Sequence, residues 1–149
     1  SGWIRGCKFM IVTIASDHGG YKTKEAISEW LLEQGHNVRD WGCDSEESCD
    51  YPDFANDLCE LVADGGANFG ILICGTGIGM SMAANRNPKI RAGLCKDVDT
   101  AMLTRAHNNA NVLCLGARVT DPANINDIVS AFLYTEFEGG RHQTRIDKL

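Results

Sequence analysis

The segment Cys74-Gly75-Thr76-Gly77-Ile78-Gly79 sets one thiol beside three glycines. Glycines leave backbone N–H groups unobstructed. Where such a loop opens a helix, those groups and the partial positive charge of the helix end can hold an oxyanion or a phosphate. A cysteine there is favoured as thiolate and can serve as general base or nucleophile. The plainer reading is a tight turn after a buried cysteine that closes a strand. Met80 stands where a dinucleotide fingerprint has its third glycine, and no Gly-Lys-Ser/Thr follows as in a P-loop.

Asp17-His18 lies in the polar cluster Ser16-Asp17-His18-Gly19-Gly20. A carboxylate can orient hydroxyls and an imidazole can meet a phosphate, although aspartate before glycine is also a common turn cap. His107 precedes Asn108; a histidine titrates near neutrality and can move a proton to or from a ring oxygen, or simply cap a helix. Arg141 and Arg145 are four apart, so a helix would place them on one face, where guanidiniums bind phosphate in a bidentate way. On a solvated tail they would be ordinary surface charges. Arg118 is a further cation. His36 and His142 form no metal-ligand spacing with other histidines, cysteines or carboxylates, so no metal is expected.

These residues sit at the ends of a regular alternation. Short β-branched or apolar runs at 9–15, 37–41, 69–74, 90–95 and 111–115 read as strands. Between and after them, helical spacing marks 21–34 (with Gly35 as its stop), 53–63, a short helix ending at Asn85, 98–106 and 124–134. Five repetitions of strand then helix favour an α/β fold, a parallel sheet with helices on both faces. In such sheets ligands lie beyond the carboxyl ends of the strands, near the point where strand order reverses. That rule selects the loops at 16–20 and 75–79. The 149 residues fit one domain, with 1–9 as a leader and the polar stretch 136–149 as a C-terminal phosphate-binding tail.

Composition narrows the function classes. A net charge of −6 argues against a general nucleic-acid surface, so an anionic ligand must be held by a few local cations. No run approaches the ~20 apolar residues of a membrane span. The seven cysteines are odd in number and scattered without a CxxC pair, which points away from a disulfide framework or zinc ribbon and toward the reduced cytoplasm. Cys95 and Cys114, inside apolar runs, read as buried residues.

Taken together, Ser16-Asp17-His18-Gly19-Gly20, Asp50-Tyr51-Pro52, Cys74 through Gly79, Ser81 with Ala83-Ala84-Asn85, His107-Asn108 with Asn111, and Gly139-Gly140-Arg141-His142 with Arg145 resemble the ribose-5-phosphate isomerase B family, which includes the galactose-6-phosphate isomerase subunits. The resemblance runs from about Met10 to Arg145. It implies a three-layer Rossmann-like fold with a five-stranded parallel sheet flanked by helices. It also implies a homodimer, or a tetramer of paired dimers, and cofactor-free interconversion of ribose 5-phosphate and ribulose 5-phosphate. By the same resemblance Cys74 is the proton acceptor and His107 opens the sugar ring, with Thr76 and Asp17 also catalytic. Substrate contacts fall on Asp17, His18, Tyr51, Gly75, Thr76, Gly77, Ile78, Gly79, Asn108, Arg118, Arg141 and Arg145. Some members carry a glutamate base; no carboxylate lies between Cys74 and Asn85 here. In so small a subunit, His107 and the phosphate cations are expected to come from a neighbouring chain. The alternatives are a six-carbon sugar phosphate as substrate, galactose 6-phosphate or allose 6-phosphate, and a non-enzymatic nucleotide-binding module using Asp97 or Asp99.

Overall fold

The computed structural model describes residues 9–149, so Cys7 and all but the last residue of the expected leader lie outside the described residues. The strands are β1 (Ile11–Ser16), β2 (Asn37–Asp40), β3 (Phe69–Cys74), β4 (Ala92–Leu94) and β5 (Val112–Gly116). The helices are α1 (Tyr21–Glu33), α2 (Tyr51–Ala63), α3 (Ile78–Ala84), α4 (Val98–Ala106), α5 (Ile125–Tyr134) and α6 (Arg141–Ile146). All strand pairs are parallel, in the order β2-β1-β3-β5-β4. No described helix is long and apolar enough to cross a membrane.

Strand residues alternate between two cores, as the pleat requires. Ile71 and Ile73 of β3 and Leu113 and Leu115 of β5 pack with Ile27 and Leu31 of α1, Ala101 of α4 and Phe132 of α5. Leu72, Cys74, Val112 and Cys114 pack on the other side with Leu58 and Val62 of α2 and Met80 and Ala84 of α3. Both faces are therefore covered, which is why β3 and β5 read as unbroken apolar runs. The cysteines expected in the core are there: Cys95 and Cys114 are buried.

The departures from the sequence reading have local causes. The fourth strand shrinks to Ala92–Leu94 because it is an edge strand whose outer side is taken by a side chain. Asn85 Nδ2 donates to Ala92 O (3.0 Å) and Asn85 Oδ1 accepts from Ala92 N (2.8 Å). The amide thus stands in for a further strand and closes the edge. α2 starts at Tyr51, two residues before the apolar periodicity, with Pro52 in the first turn where a missing N–H costs nothing. Part of the tail is helical. Gly139 and Gly140 take positive φ values of 70° and 57° and turn the chain into α6, so Arg141 and Arg145 do share a short helix.

The strand order also locates the crevice. β1 connects to β2 on one side while β3 lies on its other side, so the loops leaving β1 and β3 part from each other at the carboxyl edge.

Candidate active site

Three loops meet at that edge. The first begins where Asp17 N donates to Ile73 O at 3.1 Å, extending the β1–β3 ladder by one residue. Asp17 then caps the short turn His18–Gly20: its Oδ1 accepts from Gly19 N (2.9 Å) and Gly20 N (3.3 Å). The turn-cap reading of this aspartate is therefore real. Gly20 lies flat on β3, where an added Cβ would stand 2.6 Å from Ile73 Cγ2 and 2.8 Å from Ile73 O. His18 Nδ1 accepts from Cys49 N at 3.3 Å, so the neutral ring carries its proton on Nε2.

The second loop follows β3. Cys74 is buried on the α2–α3 side of the sheet, and its Sγ accepts from Gly77 N at 3.1 Å. Gly77 makes that bond from the left-handed region, at φ 80°, and a Cβ there would come within 2.6 Å of Leu94 and 2.9 Å of the Leu115 backbone. Thr76 Oγ1 accepts from Ile78 N at 3.2 Å. Two of the amides expected to cradle a ligand, those of Gly77 and Ile78, are thus already engaged. This corrects the expectation of an open row of donors: the sulfur and the threonine hydroxyl, set inside the turn, take the nearest N–H groups first. Among the described residues, the amides of Gly75, Thr76 and Gly79 carry no hydrogen bond. The Tyr51 ring covers Gly79, with Cζ 2.7 Å from where a Cβ would be.

Arg118 supplies the third loop, after β5. Its N–H donates to Gly75 O (2.9 Å), and its guanidinium lies over Gly75, with Nη1 3.3 Å from a notional Cβ. Nη2 is 3.7 Å from the same position on Gly19. Asp17, His18, Tyr51, Cys74 through Gly79 and Arg118 are therefore gathered at one edge. The other thiols offer little chemistry: burial pushes Cys59 and Cys95 up to about 11, and burial with the adjacent Cys43 thiol pushes Cys49 up to about 11.

His107, Asn108, Arg141 and Arg145 are not brought to this edge within one chain. α4 runs back along the sheet and ends at His107, beyond the amino end of β5; the register pairs Gly70 with Val112 and Cys74 with Gly116. Val112 is therefore four residues, about 13 Å at 3.3 Å per residue, short of the thiol's level, and His107 lies further still. At that amino end His107 stacks on His142 with ring centroids 4.2 Å apart and planes at 13°. Glu138 Oε1 stands 3.4 Å from His142 Nε2 and 3.8 Å from His107 Nε2. Glu138 and His142 were not singled out as site residues; their own i,i+4 spacing was a signal, but the separation from His107 hid the cluster. A groove of about 780 Å³ runs along the β4 edge, lined by Leu94, Leu103, Asn108 and Ile146 among others, and does not include Cys74.

The ribose/galactose isomerase family model matches residues 12–149. Ribose-5-phosphate isomerase B of Escherichia coli is 43% identical over 138 residues, spanning 93% of this chain and 93% of that one. The crystal structure of a ribose 5-phosphate isomerase from Thermotoga maritima superposes with a TM-score of 0.93 at 48% identity, covering 95% of this chain and 97% of that chain. The Mycoplasma genitalium ribose-5-phosphate isomerase B, crystallised with bound ribulose-5-phosphate, gives a TM-score of 0.89 at 46% identity, over 93% of this chain and 92% of that chain.

Proposed function

The chain belongs to the ribose/galactose isomerase family, and on that premise we propose that it interconverts ribose 5-phosphate and ribulose 5-phosphate through an enediolate. The observation that carries the reading is the thiol of Cys74, at the carboxyl end of the central strand and inside a glycine turn with three amides unspent. Moving a carbonyl between C1 and C2 needs one base to shuttle a proton and donors for the oxyanion. Cys74 is the base, and the free amides of Gly75, Thr76 and Gly79 are the donors. Asp17, held by its own turn, orients hydroxyls, and Tyr51 walls the loop.

His18 and Arg118 then meet the phosphate end together with Arg141 and Arg145, and His107 with Asn108 opens the ring. Since the last four lie at the opposite end of the sheet, the working unit is a homodimer in which a second copy supplies them. Ile78, Met82, Leu94 and Leu103, all 44–63% exposed, form an apolar strip along the β4 edge suited to that contact. The six described cysteines are all free thiols, which fits a reducing cytoplasmic setting.

Isomerisation of ribose 5-phosphate by wild type and by Cys74→Ser tests the reading. Wild type should turn over, and the serine variant should lose about 10²–10⁴-fold in kcat with KM little changed, as expected for loss of a general base. A near-normal serine variant moves the base elsewhere. Faster turnover of galactose 6-phosphate or allose 6-phosphate would move the substrate to the six-carbon class.

A further inference from the structure

The cluster at the amino end of the sheet has the composition of a metal site, although sequence spacing gave no reason to expect one. Ligand atoms of His107, Glu138 and His142 all lie within 4.8 Å of one another. Two zinc bonds of about 2.0–2.1 Å at the tetrahedral angle span roughly 3.4 Å between ligand atoms. The His142–Glu138 separation is 3.4 Å and the His107–Glu138 separation 3.8 Å, so two edges of the tetrahedron are almost built. The imidazole planes are 13° from parallel, so closing the third requires the rings to rotate until both in-plane lone pairs converge on the ion.

An independent observation points the same way. His142 is 6% exposed, and its Nε2 is buried and makes no hydrogen bond. A buried ring nitrogen that makes no hydrogen bond is costly, and a metal is one of the few groups that can satisfy it while also accepting the carboxylate beside it.

We propose that His107, Glu138 and His142 form a Zn²⁺ site, with water in the fourth position, that binds the metal as an inhibitor. Two histidines and one glutamate are a known zinc donor set, and imidazole and carboxylate suit this borderline cation. Resting on the function proposed above, the consequence is direct: His107 cannot hand a proton to a sugar oxygen while its Nε2 lone pair is held by the metal. Arg141 and Arg145 beside the cluster weaken the site, so the bound metal exchanges with its surroundings.

The test uses the full chain, ZnCl₂ and a chromogenic chelator as competitor, with Glu138→Gln and Glu138→Ala as variants. Glu138 is exposed, so both should fold, which thermal melts verify. Wild type should bind one more Zn²⁺ per chain than either variant, and CoCl₂ should give the visible spectrum of a nitrogen–oxygen site without thiolate charge-transfer bands. Zn²⁺ should inhibit wild-type isomerisation at concentrations at least about tenfold lower than those needed for the variants, whose metal-free rates stay close to wild type. Equal Zn²⁺ stoichiometry in all three proteins, or thiolate bands with Co²⁺, overturns the proposal. If the difference in Zn²⁺ binding holds but no sugar phosphate is isomerised, the metal site stands and the proposed function fails.

Discussion

At the scale of single residues, the candidate site depends on how one turn is threaded around one sulfur. Gly77 must take φ 80° to aim its N–H at Cys74 Sγ, and a Cβ there would press on the Leu115 backbone as well as on Leu94. Leu94 is a flexible, exposed side chain and can give way; the β5 backbone cannot. Gly77→Ala should therefore cost more than the roughly 1 kcal/mol of placing alanine in the left-handed region, on the order of 2–3 kcal/mol in a urea melt, with isomerase activity falling further than stability. A variant with wild-type melting and rate would show that the turn does not position the sulfur. Cys74, Asp17, His18 and the glycine loop were legible in the sequence because their chemistry and their neighbours are local. The engagement of two loop amides was not, since it depends on which way a thiol and a hydroxyl turn. The His107–Glu138–His142 cluster was hidden for another reason: His107 comes from the end of α4, far from the other two in sequence.

At the scale of elements, the outer strand and the first helix are joined by charge as well as by the packing of Val38 on the core that holds Ile27 and Leu31. Lys24 of α1 is 1% exposed, and its ammonium reaches Asp40 at the end of β2 (2.5 Å) and Glu25 (2.7 Å). Desolvation opposes the charged form, but the two carboxylates outweigh it, and the Lys24 pKa is raised. A raised pKa contributes stability that is complete below the ordinary lysine value of 10.5 and is lost as pH climbs through the higher folded value. Asp40→Asn should destabilise by about 1–2 kcal/mol near neutrality, less than a fully buried pair because both carboxylates remain partly solvated. It should also flatten the alkaline limb of a stability–pH curve measured by denaturant melts; an unchanged limb would assign that limb to other groups. No sequence rule finds this pair, because helical periodicity places Lys24 among polar neighbours. By contrast α4 and β3 were read to the residue: each is bounded by a capping aspartate, a glycine or a clean change of polarity. β4 was read too long and α6 was given no bounds because an edge strand and a short glycine-led helix take their limits from elsewhere, Asn85 in one case and the two positive-φ glycines in the other.

At the scale of the whole molecule, the parallel sheet has two chemically different ends, and each chain carries half of the proposed machinery at each end. A two-fold axis normal to the strands and passing through the β4 edge reverses strand direction between copies. It would carry the amino end of one chain, with His107 and α6, over the carboxyl-end loops of the other. The strip of Ile78, Met82, Leu94 and Leu103 runs along that same edge, and self-complementary use of one patch is what a two-fold contact requires. Such a dimer has two identical sites, each built from both chains, and this makes a quantitative prediction. Cys74→Ala and His107→Ala homodimers should each be nearly inactive. When the two are mixed under conditions that let subunits exchange, half of the dimers become mixed, and each mixed dimer pairs one intact Cys74 with one intact His107. Activity should then recover to about a quarter of wild type, appearing at the rate of exchange rather than at once. If each chain were self-sufficient, every site in the mixture would still lack one of the two residues and nothing would recover. Isotope-dilution mass spectrometry of the mixture shows whether exchange took place, so exchanged dimers that remain inactive would place both halves of the site in a single chain.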